Sequence, residues 1–183
     1  RTRDPRRQSP VAMMSPGRKL ALITANVVGW AAVHVITGYT AHRLPRERLD
    51  HDWWIHRRRP WENDLAFYRS SLHIHAWKDR LPEAGAVFPG GISKRSLPSF
   101  ETQALSAFIN ETRRAELAHW WALAATPIFA LLNPPIALPV TITYGVGANM
   151  PFIAIQRYNR QRTEQILVKR APGQDRSEPS GQR

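Results

Sequence analysis

Apolar residues in this chain are gathered into long uninterrupted runs that very polar segments separate. The first run, residues 20–41, has no Lys, Arg, Asp or Glu over 22 residues, and a spanning helix needs about 20 apolar residues. We therefore predict a transmembrane anchor at 20–41. The alternative is a cleaved secretory signal, since Arg18 and Lys19 precede the run, although the run is longer than a usual signal core and lacks a small-residue exit.

A second apolar run covers residues 117–155, about twice the length of a single span. The sequence Asn-Pro-Pro at 133–135 interrupts it, and proline disfavours a continuous helix there. The pattern predicts a membrane hairpin at 117–155, with Trp120, Trp121 and Tyr158 as interfacial anchors. A buried hairpin in a soluble core is the alternative.

The region between these runs is polar but rich in Trp, Phe and Tyr, which predicts amphipathic interfacial helices. Asn63 or Asp64 is expected to cap a helix that runs to about Arg80. Gly90-Gly91 is expected to form a turn, and Ser99 to cap the long helix that follows. The predicted fold is an all-α membrane protein with an N-terminal transmembrane helix, interfacial helices and a C-terminal hairpin.

The two ends of the chain are predicted to be disordered: a basic N-terminus at 1–19 and a polar tail at 163–183. The chain opens on Arg1, so Met13 or Met14 is a candidate start of translation.

The charge balance, 26 basic against 14 acidic residues, predicts anionic partners. Most arginines lie beside apolar segments or in tails, which favours lipid headgroups or a phosphorylated substrate over nucleic acid. The triplet Arg57–Arg59 is interpreted as a lipid-facing patch. The positive-inside rule predicts a multi-pass cell-membrane protein whose active face is cytoplasmic. The absence of cysteine excludes disulfides and a thiol nucleophile.

One helix face near the start of the hairpin carries candidate chemistry. At about 100° per residue, a hydroxyl, a carboxylate and an imidazole interrupt an apolar stripe made of Leu105, Phe108, Thr112, Glu116, His119 and Leu123. Ionisable groups near a membrane are costly unless they are used. The second leg has a similar line of Gly145, Asn149, Phe152, Gln156 and Arg160, which either lines a substrate groove or holds neighbouring helices by hydrogen bonds.

Several motifs occur together and in order: Trp-Lys at 77–78, Leu-Pro at 81–82, Glu-Thr-x-Arg-Ala-Glu-x-x-His-Trp at 111–120, Asn-Pro-Pro at 133–135 and Gln-Arg-Tyr-Asn-Arg-x-Arg at 156–162. This set resembles the glycosyl-4,4'-diaponeurosporenoate acyltransferase family. The resemblance implies that residues 42–162 form a membrane acyltransferase that esterifies a sugar hydroxyl of a glycosylated carotenoid, with a membrane lipid-like glycoside as acceptor and acyl-CoA or acyl carrier protein as donor.

Acyl transfer to an alcohol needs a base and charge stabilisation. His119 is the predicted base, because imidazole titrates near neutral pH, with Glu116 orienting its ring. Glu111 is expected to contact the acceptor sugar or to pair with an arginine. Six further residues are predicted to bind substrate: Arg114, Arg157, Arg160 and Arg162 through donor phosphates or the oxyanion, Asn149 and Gln156 in the groove. The family resemblance adds Lys78 as a donor-phosphate ligand.

No metal and no cofactor are predicted, because a single Glu-x-x-His pair is present and a bundle metal site uses two such pairs. A GxSxG elbow is absent from the sequence, which favours direct transfer without an acyl-serine. Two other hypotheses remain open. One is a non-enzymatic membrane scaffold in which Glu116 and His119 belong to a structural charge network, and the other is a metal-dependent membrane hydrolase.

Overall fold

The computed structural model describes residues 14–82 and 101–170, and all regular secondary structure in these residues is helical. This confirms the predicted all-α class. The α-helices are Pro16–His42 (α1), Ile74–Trp77 (α2), Thr102–Ala124 (α3), Thr126–Leu132 (α4) and Leu138–Arg170 (α5). The predicted turn at Gly90-Gly91 and the predicted cap at Ser99 lie outside the described residues.

Helix α1 forms the predicted N-terminal span and begins at Pro16, four residues before the predicted start. The Ser15 hydroxyl accepts a hydrogen bond from the Arg18 N–H at 3.4 Å, and proline suits the first turn because its missing donor would have no partner there. Many large apolar side chains of α1 are exposed, among them Val27, Val28, Val35 and Ile36. Lipid contact would remove these side chains from water.

The hairpin is broken where the Asn-Pro-Pro signal predicts. Helix α4 ends at Leu132 and Pro134 precedes a short 3₁₀ turn, Pro135–Ala137, that leads into α5. Three segments are long and apolar enough to cross a membrane: Pro16–His42, Thr102–Leu132 and Pro135–Arg170. Helix α5 continues eight residues beyond Arg162 to Arg170, and Thr163 is fully buried, so the first part of the predicted tail is helical.

The predicted continuous helix from residue 63 or 64 to about residue 80 is wrong. The chain instead forms a 3₁₀ turn, Pro60–Leu65, a π-helical turn, Phe67–Ser71, and the single-turn helix α2. Leu65 has φ 71° and His73 has φ 46°, and left-handed backbone at a residue other than glycine interrupts a right-handed helix. Burial of Leu65 and Ile74 accompanies these breaks.

The chain forms two compact units. The first unit takes its described residues from Arg1–Leu44 and Leu117–Ile153. In it, Trp30 of α1 stacks on Phe129 of α4 with ring centroids 4.2 Å apart. Asn26 and Asn133 exchange two side-chain hydrogen bonds, each 2.9 Å long. Reciprocal amide bonds of this kind join helices where no water is present to compete.

The second unit takes its described residues from Pro45–Glu116 and Ala154–Arg183. Its apolar core brings the short central helices together with α5 through five buried side chains: Leu65, Tyr68, Ile74, Ile155 and Tyr158. The Tyr158 hydroxyl lies 3.0 Å from Nε2 of His75.

Candidate functional site

His119 of the first unit is held by an amide on the second leg of the hairpin. Its Nδ1 lies 3.2 Å from Oδ1 of Asn149, and Nδ2 of Asn149 donates to the Gly145 carbonyl at 2.9 Å. The bond to Gly145 fixes which end of the amide faces the ring. Because Oδ1 can only accept, Nδ1 carries the proton and the lone pair of the neutral ring is on Nε2.

The His119 ring also stacks on Phe152, with centroids 4.8 Å apart and planes 10° from parallel. A hydrogen bond at one ring nitrogen and an aromatic face together restrict both rotation and tilt of the imidazole. Asn149 is fully buried whereas His119 is partly exposed. The structure therefore brings together two residues that the sequence placed on separate predicted faces, and it shows a hydrogen bond for Asn149 that fits the helix-joining interpretation.

Arg157 lies at the centre of a buried charge cluster in the second unit. Nε and Nη2 donate to the two carboxylate oxygens of Glu62 at 2.7 and 3.0 Å, and Nη1 donates to Glu116 at 2.7 Å. The two remaining donors bind the carbonyls of Ile55 at 2.9 Å and Arg57 at 2.8 Å. A guanidinium has five N–H donors, so the protein itself occupies all of them.

Arg160 completes the buried charge cluster, defined as Glu62, Glu116, Arg157 and Arg160. It donates through Nη1 to Oε2 of Glu116 and through Nη2 to the His56 carbonyl at 2.8 Å. All four members are buried, and their two positive and two negative charges balance. The predicted role of Arg157 and Arg160 as phosphate ligands finds no support in this geometry, because their donors hold carboxylates and backbone carbonyls.

Glu62 was not among the residues that the sequence singled out, yet it is the second carboxylate of the cluster. Burial alone would raise the pKa of Glu62, but hydrogen bonds from Arg157, the Tyr68 hydroxyl and the Arg59 N–H outweigh burial and lower it. Burial and the Glu62 carboxylate in turn raise the pKa of Tyr68. A sequence signal did exist, because basic residues predicted on an apolar helix line require carboxylate partners.

His56 is fully buried beside this cluster, and neither of its ring nitrogens has a hydrogen-bond partner. Its ring centroid lies 6.2 Å from that of Trp53. Burial lowers the pKa of His56 to about 4. The Glu116 carboxylate raises this pKa by a smaller amount, and the Arg160 guanidinium lowers it by a smaller amount. The imidazole is therefore neutral at physiological pH and carries no charge that the cluster would have to balance.

Arg114 and Lys78, two other predicted site residues, have partners close by in the sequence. Arg114 donates to Glu111 one turn earlier on α3, and Nζ of Lys78 lies 2.6 Å from Asp79. Gln156 is buried and Arg162 is exposed.

Among the ion pairs of the described residues, Arg113 of α3 pairs with Asp52, whereas Glu116 of the same helix pairs with Arg157 and Arg160. In the structure Arg113 donates to Asp52 at 2.8 Å, to the Leu49 carbonyl at 2.8 Å and to Asn110 at 3.1 Å. This residue fastens the loop after α1 to α3 within the second unit.

The family model described as glycosyl-4,4'-diaponeurosporenoate acyltransferase matches residues 51–169. A protein of that name from Staphylococcus haemolyticus (strain JCSC1435) is 36% identical over 113 residues, which are 60% of this chain and 66% of that protein. One of the same name from Staphylococcus aureus (strain USA300) is 28% identical over 138 residues, 75% of this chain and 83% of that protein.

No solved structure matches the chain. The matched segment, residues 51–169, contains His119, Asn149 and all four members of the buried charge cluster. It also covers every motif on which the resemblance was based. The chain therefore belongs to the glycosyl-4,4'-diaponeurosporenoate acyltransferase family, which confirms the family and the acyltransferase class predicted from the sequence.

Proposed function

We propose that this chain transfers a fatty acyl group from a thioester donor to a sugar hydroxyl of a glycosylated carotenoid or a similar lipid glycoside. Family membership and the names of the relatives support the reaction class and the acceptor. Three segments apolar enough to cross a membrane suit an acceptor whose body is a long hydrocarbon. The proposal replaces the scaffold hypothesis, which gives no reason for this family membership.

The observation that carries the mechanism is the hydrogen bond between His119 and Asn149. It leaves the lone pair of the neutral imidazole on Nε2, the atom that takes the proton from the sugar hydroxyl. The hydroxyl oxygen attacks the acyl carbonyl carbon, a C–O bond forms, and collapse of the tetrahedral intermediate breaks the C–S bond of the donor. The proton then passes from His119 to the leaving thiolate.

The other predicted site residues take separate roles in this proposal. Arg114, Lys78 and Arg162 bind donor phosphates or stabilise the oxyanion, as basic side chains do elsewhere, and Glu111 contacts the acceptor sugar. Glu116 acts by holding Arg157 and Arg160, since these two guanidinium groups already bind its carboxylate. The donor is acyl-CoA or acyl carrier protein, and the reaction balances without a metal or cofactor.

We also propose a multi-pass arrangement in the cell membrane with the second unit on the cytoplasmic side. Of the 26 basic residues, 20 follow residue 41, and loops rich in Lys and Arg are retained in the cytoplasm. This side would give the site access to cytoplasmic thioester donors.

Lipid mass spectrometry of cells that make the glycosylated acceptor tests the proposed function. Cells carrying the unaltered chain should contain the acylated glycoside, and cells carrying His119→Gln should accumulate its unacylated precursor. His51→Gln is a matched control, because His51 is an exposed histidine outside the proposed site. Equal amounts of acylated product in the unaltered and His119→Gln cells, at matched membrane abundance, would contradict the role of His119.

A further inference from the structure

The loop Trp53–Trp61, here called the basic loop, presents aromatic and cationic side chains to its surroundings. Trp54 is 69% exposed and Trp61 is 62% exposed, and Arg57 and Arg58 between them are exposed as well. Tryptophan is favoured where one side of the residue meets apolar chains and the other meets water. Two exposed tryptophans that flank exposed arginines match the chemistry of a bilayer surface with negative headgroups.

The buried charge cluster fixes the backbone of the basic loop. Arg157 binds the carbonyls of Ile55 and Arg57, and Arg160 binds the carbonyl of His56. Three consecutive carbonyls of the loop therefore accept hydrogen bonds from buried guanidinium groups. The exposed side chains of the loop are presented from a fixed backbone, which lowers the entropy lost when they bind.

Arg58 also lines an open groove of about 440 Å³ together with Glu164, Gln165, Val168 and Lys169. A basic side chain lies on each element that forms the groove, and Val168 offers an exposed apolar surface. Glu164 lies 2.9 Å from Arg58 and 3.9 Å from both Arg113 and Arg160. Among the residues that line the groove, Arg58 and Lys169 carry two positive charges against the single negative charge of Glu164, so the groove keeps an excess of positive charge.

We propose that the basic loop and this groove bind the headgroup of an anionic phospholipid at the membrane surface. The arginines meet the phosphate, while Trp54, Trp61 and Val168 meet the glycerol and upper acyl region. A soluble phosphate compound would use the same cations but would leave the two exposed tryptophans in water. The loop also follows α1, a segment able to cross a membrane, after a short connection. Binding here is separate from acyl transfer.

Tryptophan quenching in lipid nanodiscs tests this site. The purified full chain is placed in phosphatidylcholine nanodiscs that contain either phosphatidylglycerol with brominated acyl chains or, at equal mole fraction, brominated phosphatidylcholine. The contribution of Trp54 and Trp61 is the difference between the unaltered protein and W54F/W61F. We expect stronger quenching of this contribution by brominated phosphatidylglycerol. Equal quenching by the two lipids would overturn the proposal.

The double variant R57Q/R58Q supplies a second measurement that does not depend on the tryptophans. Native mass spectrometry of the protein in detergent measures how much phosphatidylglycerol stays bound. We expect the affinity of R57Q/R58Q for this lipid to be on the order of tenfold lower than that of the unaltered protein. R69Q removes an exposed arginine of the same unit outside the loop and should retain the lipid. Equal losses of bound phosphatidylglycerol in R57Q/R58Q and R69Q would show only a general effect of charge. Displacement of the lipid by coenzyme A would show that the loop binds the phosphates of the acyl donor. Either result contradicts the proposal.

Discussion

Nη1 of Arg157 donates to Oε1 of Glu116 across 2.7 Å, and both side chains are buried. The two residues are 41 positions apart in the sequence, on α3 and α5. Their contact links the two long motifs of the family, the Glu-Thr-x-Arg-Ala-Glu-x-x-His-Trp run and the Gln-Arg-Tyr-Asn-Arg-x-Arg run. In the second unit these motifs meet in the buried charge cluster, whose arginines bind three backbone carbonyls of the basic loop.

Loss of one carboxylate from this cluster should destabilise the protein strongly. Glu116→Gln removes the buried carboxylate that binds both Arg157 and Arg160, and an uncompensated buried charge costs about 3–5 kcal/mol. Denaturant titration in mild detergent measures the free energy of unfolding. Asp79→Asn is the control, because the Lys78–Asp79 pair has an exposed carboxylate and such pairs contribute at most about 1 kcal/mol. Similar losses in the two variants would contradict a structural role for the cluster.

Stability should fall with acid in a window set by His56. Its folded-state pKa is about 4 whereas an ordinary histidine titrates at 6.5, so the unfolded chain binds the proton first as pH falls. The free energy of unfolding should therefore decrease between about pH 6.5 and pH 4. His56→Phe removes the titrating group while keeping an aromatic ring, and its unfolding should depend less on pH in that window. An unchanged pH dependence would exclude His56 as the group responsible.

Two glycines of α5 should respond in opposite ways to a methyl group. A Cβ at Gly145 would overlap Oγ1, Cγ2 and Cβ of Thr126, whereas nothing lies within 4 Å of a Cβ at Gly147. Gly145→Ala must therefore separate α5 from α4 and lower stability by about 1–3 kcal/mol. Gly147→Ala should be neutral or stabilising by up to about 1 kcal/mol, because alanine favours helix. Thermal unfolding in detergent distinguishes the pair, and equal shifts would contradict this packing.

The long elements could be predicted from sequence because their signals are local. The uncharged run at 20–41 and the prolines after Asn133 specify α1 and the break in the hairpin without reference to the rest of the fold. The region around Leu65 and His73 could not be predicted in this way. Its helical periodicity is real, but left-handed backbone at both residues is stabilised by a core that includes Ile155 and Tyr158 from far along the chain.

The sequence predicts which residue types belong to the site better than it predicts which side chains contact one another. His119 and Asn149 were both identified from sequence, but a helical face cannot show which side chain on another helix it meets. Glu62 was missed for the same reason, since its partner Arg157 is 95 residues away. The sequence predicts Arg157 as a substrate ligand because its charge is visible there, whereas its five protein acceptors are visible only in the structure.

Replacement of Asn149 should lower the rate of acyl transfer more than substrate binding. Asn149→Leu removes the oxygen that fixes Nδ1–H of His119, so kcat is expected to fall by up to about 100-fold with little change in KM. Asn26→Leu is the control, because it removes an amide that hydrogen-bonds to Asn133 in the same unit. Asn26 has no role in the proposed reaction. Steady-state kinetics on folded protein separates the two. Equal loss of kcat in both variants would reduce Asn149 to a structural residue.

The most direct test of the proposed chemistry is a transfer assay with purified protein, a radiolabelled acyl-CoA and the glycosylated acceptor. The unaltered protein should form the labelled ester, and His119→Gln should form it with kcat lower by at least about 100-fold, the usual contribution of a general base. Both proteins must show the same thermal unfolding in detergent for the comparison to hold. An unchanged kcat in His119→Gln would contradict the assignment of His119 as the base.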